Sequence, residues 1–134
     1  VCIMHNRPKA EYGHFLIDMK KDLQRSLMLA DAAGIARDQI ILDPGVGFGK
    51  TYEQNLAVLA HLDTFLDFEL PLLLATSRKS VIGLTLDLPV EEREEGTMVT
   101  SVLAALNHWD MVRVHDVEKN VRALRMTEKI MSLQ

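Results

Sequence analysis

The chain has 134 residues, 48% of them hydrophobic and 25% charged, which is the composition of one globular domain and excludes a disordered segment. Against 19 Asp and Glu it carries 15 Lys and Arg, so the formal net charge is −4 and no broad positive field exists to hold a nucleic-acid backbone. No apolar run approaches the roughly 20 residues of a membrane span, and the first residues do not read as a secretion signal, so a cytoplasmic protein with neither nucleic acid nor membrane as partner is expected.

The first apolar run, Val1 to Met4, reads as a buried strand. Its Cys2 is the single cysteine, unable to close an internal disulfide and expected as a buried, unreactive thiol. The chain opens inside this run without an initiator Met, as expected of a piece of a longer protein. A loop with Asn6, Arg7 and Pro8 follows. Leu16, Met19, Leu23, Leu27 and Ala30 then recur at steps of three and four, predicting a helix stopped by Gly34. The second run, Gln39 to Leu42, ends at Asp43 and Pro44, and a glycine-rich loop leads into a helix carrying Leu56, Leu59 and Leu62. The third run is Leu72 to Ala75. TSRKSVIG comes next, with a short helix expected from about Ser80, and the acidic stretch Glu91 to Glu95 opens a helix whose stripe is Val99, Val102, Leu103 and Leu106. Solvation and the helix dipole account for those carboxylates. The fourth run, Met111 to Val114, is followed by HDV and a last helix with Val117, Val121, Leu124 and Met131 facing inward.

Strand and helix therefore alternate as four consecutive βα units in one α/β domain spanning residues 1–134. Each strand is followed by chemistry: HNR, DPGVGFGK, TSRKS and HDV. In parallel α/β proteins these ends converge on one face, where ligands bind in barrels and open sheets alike. The abrupt start favours half of an eight-unit barrel over a small open sheet.

GVGFGKT, from Gly45 to Thr51, is one residue short of the spacing of a nucleotide phosphate loop and has Pro44 at its head, so ATP binding is set aside. Its glycines are expected to let the backbone turn sharply after Asp43 and bring Phe48 over a flat ligand. Asp43 closes an apolar strand at the sheet rim, where a carboxylate suits either the loop amides or a ligand edge with adjacent N–H donors. Lys79 is expected to reach inward as a compact donor, and Ser80 with nearby amides to hold a carboxylate. Arg113 and His115 lie two apart on an extended strand, point the same way, and make an anion site. His14, His61 and His108 lack partners at metal-ligand spacing, and Trp109 and Tyr52 read as packing.

Taken together, DPGVGFGKT, TSRKSVIG and VRVHDV behind an opening IMHNR make the chain similar to dihydropteroate synthase over essentially its whole length. The resemblance implies the C-terminal half of a (β/α)8 TIM barrel, so that residues 1–134 form a partial pterin-binding domain. It implies an enzyme that condenses 6-hydroxymethyl-7,8-dihydropterin pyrophosphate with p-aminobenzoate in folate biosynthesis, releasing pyrophosphate. By the same resemblance Met4, Asp43, Phe48, Lys79 and Arg113 contact pterin, while Phe48, Arg78, Lys79 and Ser80 serve p-aminobenzoate. Arg113 and His115 hold pyrophosphate, and Lys79, Arg113 and His115 are the catalytic set. Mg2+ is implied as a cofactor whose protein ligand lies in the N-terminal half. A homodimer is implied for the full-length protein.

The family's other metal and pterin residues precede this segment, so the polypeptide alone is expected to be inactive. Two other readings are a pterin-binding methyltransferase domain, whose chemistry gives no reason for the anion site, and a catalytically silent pterin-binding paralogue.

Overall fold

The computed structural model describes residues 1–133. Its elements are β1 (Cys2–Met4), α1 (Phe15–Ala32), β2 (Ile41–Asp43), α2 (Tyr52–Ala60), β3 (Leu73–Leu74), α3 (Ser80–Leu86), α4 (Glu94–Leu106), β4 (Met111–Val112) and α5 (Val117–Met131). Single 3-10 stretches at Arg37–Gln39, Leu62–Phe68 and Val90–Glu92 join them. β1 runs parallel to β2 and β3 parallel to β4, and a parallel bridge from Leu42 to Leu72 joins the two pairs. The strands thus lie side by side in chain order. Parallel neighbours cannot be closed by a hairpin, which is why a helix spans each gap; the third gap holds two, α3 and α4.

One face of this layer is packed under helices. Leu42, Leu72 and Leu74 join Met19 and Leu23 of α1, Val58 of α2, and Leu62, Phe65 and Trp109 in one buried cluster. Phe65 and Trp109 meet edge to face at 5.9 Å, and the Trp109 indole N–H donates to the Leu62 carbonyl at 3.1 Å, so the ring is buried without an orphaned donor. Because strand side chains alternate, Cys2, Met4, Ile41 and Asp43 share the opposite face, in the register Cys2 with Ile41 and Met4 with Asp43.

That alternation corrects the expectation for Cys2, whose side of β1 is not the helix-covered one: the residue is exposed. Partial desolvation and the Asp43 carboxylate push its thiol pKa up, so exposure does not make it reactive. The second strand begins and ends later than expected, because Gln39 closes a 3-10 turn and Asp43 itself pairs with Met4.

Three helices bury polar or small residues beside, and in places instead of, the apolar ones their spacing predicts, although Leu59, Leu62 and Leu103 do reach the core. In α2, Asn55 and Val58 are buried and Leu56 is exposed, while Leu62 lies beyond the helix in the following 3-10 stretch. In α4 the buried residues are Glu94, Thr97, Thr100, Ser101 and Ala104, with Val99 and Leu106 exposed. In α5 they are Asn120 and Thr127, and Val117 is 60% exposed. For α4 and α5 the physical reason is a polar seam. Ser101 donates to the Asn120 side-chain oxygen at 2.7 Å, and Asn120 donates to Glu94 at 2.7 Å and to the Asp116 carbonyl at 2.8 Å. Glu94, 7% exposed, is therefore a buried structural carboxylate and not a solvated helix-start charge.

Candidate functional site

The site is assembled at the C-terminal ends of the strands. Asp43 ends β2, is 3% exposed, and accepts a hydrogen bond from the Gly45 amide at 2.7 Å through Oδ1. Burial raises its pKa, opposed by the Gly45 amide and by Lys79, Arg113 and Lys50, in that order. The carboxylate is thus held out of water near three cations, and its hydrogen bond to the backbone uses one of its two oxygens.

The loop after Asp43 can approach so closely only because of glycine. Gly45 has φ 67°, and a Cβ there would stand 2.0 Å from the His5 carbonyl oxygen, so no side chain fits. The Gly47 amide donates to Asn55 at 2.7 Å, and Phe48 N–H to the Gly45 carbonyl at 3.0 Å. At the far end Thr51 caps α2 in a reciprocal arrangement with Gln54, which fixes where the loop must finish. Phe48 is left partly exposed, and the Lys79 ammonium sits 4.7 Å from its ring centroid.

Lys79 comes from the segment between β3 and α3 and donates to the Val46 carbonyl. Burial lowers its pKa, Asp43 pulls it back, and Arg113 pushes it further down. Lys79, Arg113 and His115 line a pocket of about 270 Å³ with Ala75, Ser77 and Val114. Ser77 was missed by sequence reasoning. Its Oγ accepts from the His115 backbone amide at 3.1 Å and lies 2.7 Å from His115 Nδ1. The two contacts hold the His115 ring by its Nδ1 edge, with Nε2 not engaged by Ser77.

The remaining expected residues are placed less uniformly. Met4 stands across the strand pair from Asp43 and against Gly45, and is not among the residues that line the pocket with Lys79. Ser80 is exposed at the first turn of α3. Arg78 is turned away: with φ 57° its guanidinium goes to Glu94 at 3.4 Å, and its carbonyl accepts from Arg93 at 2.9 Å. It holds the loop to α4 and is not brought to the pocket with Lys79.

Sequence reasoning also missed a layer beneath the loop. Buried His5 contacts Asp22 of α1 at 3.0 Å through Nε2 and Lys50 at 3.0 Å through Nδ1. Arg7 donates to the same Asp22 oxygen at 2.6 Å. These partners are 17, 45 and 15 residues apart, so no local spacing betrays them.

Residues 1–115 match the family model described as pterin binding enzyme. The chain is 51% identical over 130 residues to a dihydropteroate synthase of Clostridium beijerinckii, covering 96% of this chain and 48% of that protein. To the dihydropteroate synthase of Bacillus subtilis it is 48% identical over 132 residues, covering 98% and 46%. A solved structure of Yersinia pestis dihydropteroate synthase with a pterine-sulfa conjugate superposes with a TM-score of 0.93 at 39% identity, over 99% of this chain and 52% of that one. The chain spans about half the length of the curated relatives it matches.

Proposed function

The chain belongs to the pterin binding enzyme family, and on that premise we propose that its parent protein is a dihydropteroate synthase, of which these residues form the C-terminal half of a (β/α)8 TIM barrel. Strands laid in chain order, without the reversal that marks an open doubly wound sheet, support the barrel reading. The observation that carries the activity is that buried Asp43 feels the charges of Lys79 and Arg113, the two cations that line the pocket at the neighbouring strand ends.

Asp43 accepts from the amino-pyrimidinone edge of 6-hydroxymethyl-7,8-dihydropterin pyrophosphate, using the oxygen that the Gly45 amide leaves free. Lys79 bonds the opposite polar side of the ring, Arg113 stacks on its face, and Met4, across the strand pair from Asp43, contacts the pterin. Phe48, Lys79 and Ser80 shape the p-aminobenzoate side. In the reaction the pterin methylene C–O bond breaks and its electron pair leaves with pyrophosphate. The arylamine nitrogen then bonds to that methylene and gives up a proton, yielding 7,8-dihydropteroate. Arg113 and His115 stabilise charge as it grows on the leaving group.

Among the described residues no three His, Cys, Asp or Glu side chains gather as metal ligands. Mg2+ needs only one or two protein oxygens beside substrate phosphates and water, and in this reading its protein ligand lies in the N-terminal half. Among the described residues no helix is long and apolar enough to cross a membrane, and a cytoplasmic location is part of this reading. So is a homodimer, supported by an apolar groove of about 550 Å³ between α2, α3 and α4, lined by Leu59, Val81, Leu86, Val99 and Leu103.

The test supplies pterin pyrophosphate and labelled p-aminobenzoate at saturation to this chain and to its full-length parent. Dihydropteroate from the parent and none from the chain is expected. A parent that transfers a methyl group or makes no product overturns the reading, and product from the chain alone overturns its expected inactivity.

A further inference from the structure

Three of the five residues from Gly45 to Gly49 are glycines with positive φ, a backbone with little stiffness of its own. Something must hold it in the one shape that offers the Val46 carbonyl to Lys79 and the Phe48 ring beneath the ammonium. Lys50 is placed to do so. Its ammonium donates to the Gly45 carbonyl at 2.9 Å, the Phe48 carbonyl at 2.9 Å and His5 Nδ1 at 3.0 Å, which uses all three of its donors. No capacity is left for a ligand. Because an ammonium only donates, His5 accepts at Nδ1 and donates from Nε2 to Asp22, which Arg7 also holds.

We propose that Lys50, seated on neutral His5, is a positioning residue that latches the glycine loop to β1 and α1 and thereby sets where Phe48 and Lys79 meet a ligand. The effect on ligand affinity rests on the function proposed above; the latch itself does not.

The latch carries a dependence on pH. Burial lowers the His5 pKa, and Lys50 lowers it further, against the pull of Asp22. Protonating His5 removes the lone pair that accepts from Lys50 and sets two cations 3.0 Å apart. Burial likewise pushes Lys50 down to about 8, with Asp43 opposing and Lys79 reinforcing the shift. The charged and titratable groups around the pair are Asp22 of α1, Arg7 and Tyr12 from the segment after β1, Asp43 of β2, and Lys79. Of these groups and His5, only His5 is hydrogen-bonded to the Lys50 ammonium.

Hydrogen exchange of the Gly47 and Phe48 amides reads the latch without any ligand. Lys50→Met keeps the aliphatic stem and deletes the donors. These two amides should exchange roughly tenfold faster or more, since a charge-assisted bond contributes about 1.5–3 kcal/mol, while amides of Met19, Leu23 and Val58 stay within about twofold of wild type. On acidification, after correction for intrinsic rates, the wild-type loop should lose the same protection as His5 protonates, and Lys50→Met should show no such step. Loop amides as protected as in wild type, or a speed-up shared equally by the core, overturn the proposal. Pterin-6-carboxylate binding by the full-length parent, measured alongside, should weaken about tenfold in Lys50→Met. A protected loop in a full-length parent that does not bind the pterin would sink the proposed site and leave the latch standing.

Discussion

Replacing Asp43 with Asn separates what this residue does for the fold from what it does for a ligand. The amide keeps the size of the carboxylate and one oxygen, so the 2.7 Å bond from the Gly45 amide survives. What changes is the second position, where an N–H2 now faces any donor pair that the carboxylate oxygen would have accepted. A hydrogen bond to a charged partner contributes about 1.5–3 kcal/mol, so pterin affinity should fall roughly 10- to 150-fold. Stability should move the other way. Burial raises the folded-state pKa of Asp43 above its unfolded value, so between those two values the folded chain binds more protons than the unfolded one. From this group, stability increases as pH falls through the raised pKa and is lost again as pH rises above it. Asp43→Asn carries no such charge and should be as stable as wild type or more so at pH 7.5, with that acid-side gain absent. Isothermal titration with a pterin and urea unfolding at several pH values measure both. A variant that binds pterin normally, or that unfolds more easily at neutral pH, would refute the assignment of Asp43 as a strained ligand acceptor.

Gly45→Ala should cost about 3 kcal/mol or more, because its Cβ meets the His5 backbone, whereas Gly34→Ala, with φ 77° but no atom within 4 Å, should cost only about 1 kcal/mol; thermal unfolding compares them directly. Asn120→Ala strands the Ser101 hydroxyl and a Glu94 oxygen inside the α4 and α5 contact, and should lower the unfolding free energy by about 2–4 kcal/mol in a urea titration. Ser77→Ala frees the His115 ring from its orienting hydroxyl. Affinity for inorganic pyrophosphate should drop roughly 2- to 10-fold with no loss of helix content by circular dichroism.

The ends of the strands were the legible part of this molecule. Asp43, Lys79, Arg113 and His115 each follow an apolar run, and a parallel sheet brings such ends together whatever the details between them. Helix faces were less legible, and in α4 and α5 threonine adds a second cause to the polar seam. Thr97 and Thr127 return their hydroxyl protons to the carbonyls of Arg93 and Ala123, four residues back, and Thr100 gives its own to Thr97. With the hydroxyl spent on the backbone, the remaining methyl packs as an apolar group, so a count of Leu and Val misplaces the buried side of α4. Arg78 was misdirected for a different reason. Beside Lys79 in the sequence it looks like a second cation for the same anion, but a left-handed backbone at φ 57° swings it to Glu94, sixteen residues away. His5 and Lys50 failed because each is silent without the other.

The bonds joining Ser101, Asn120 and Glu94 also bear on how such a chain can drift. Around Phe65 and Trp109 one hydrocarbon can replace another of like volume at modest cost, and many routes lead from one acceptable filling to the next. Between α4 and α5 every donor has one addressee, so a lone exchange strands its correspondent and two must change at once. Descendants of this protein should wander freely in the first region and stand almost still in the second.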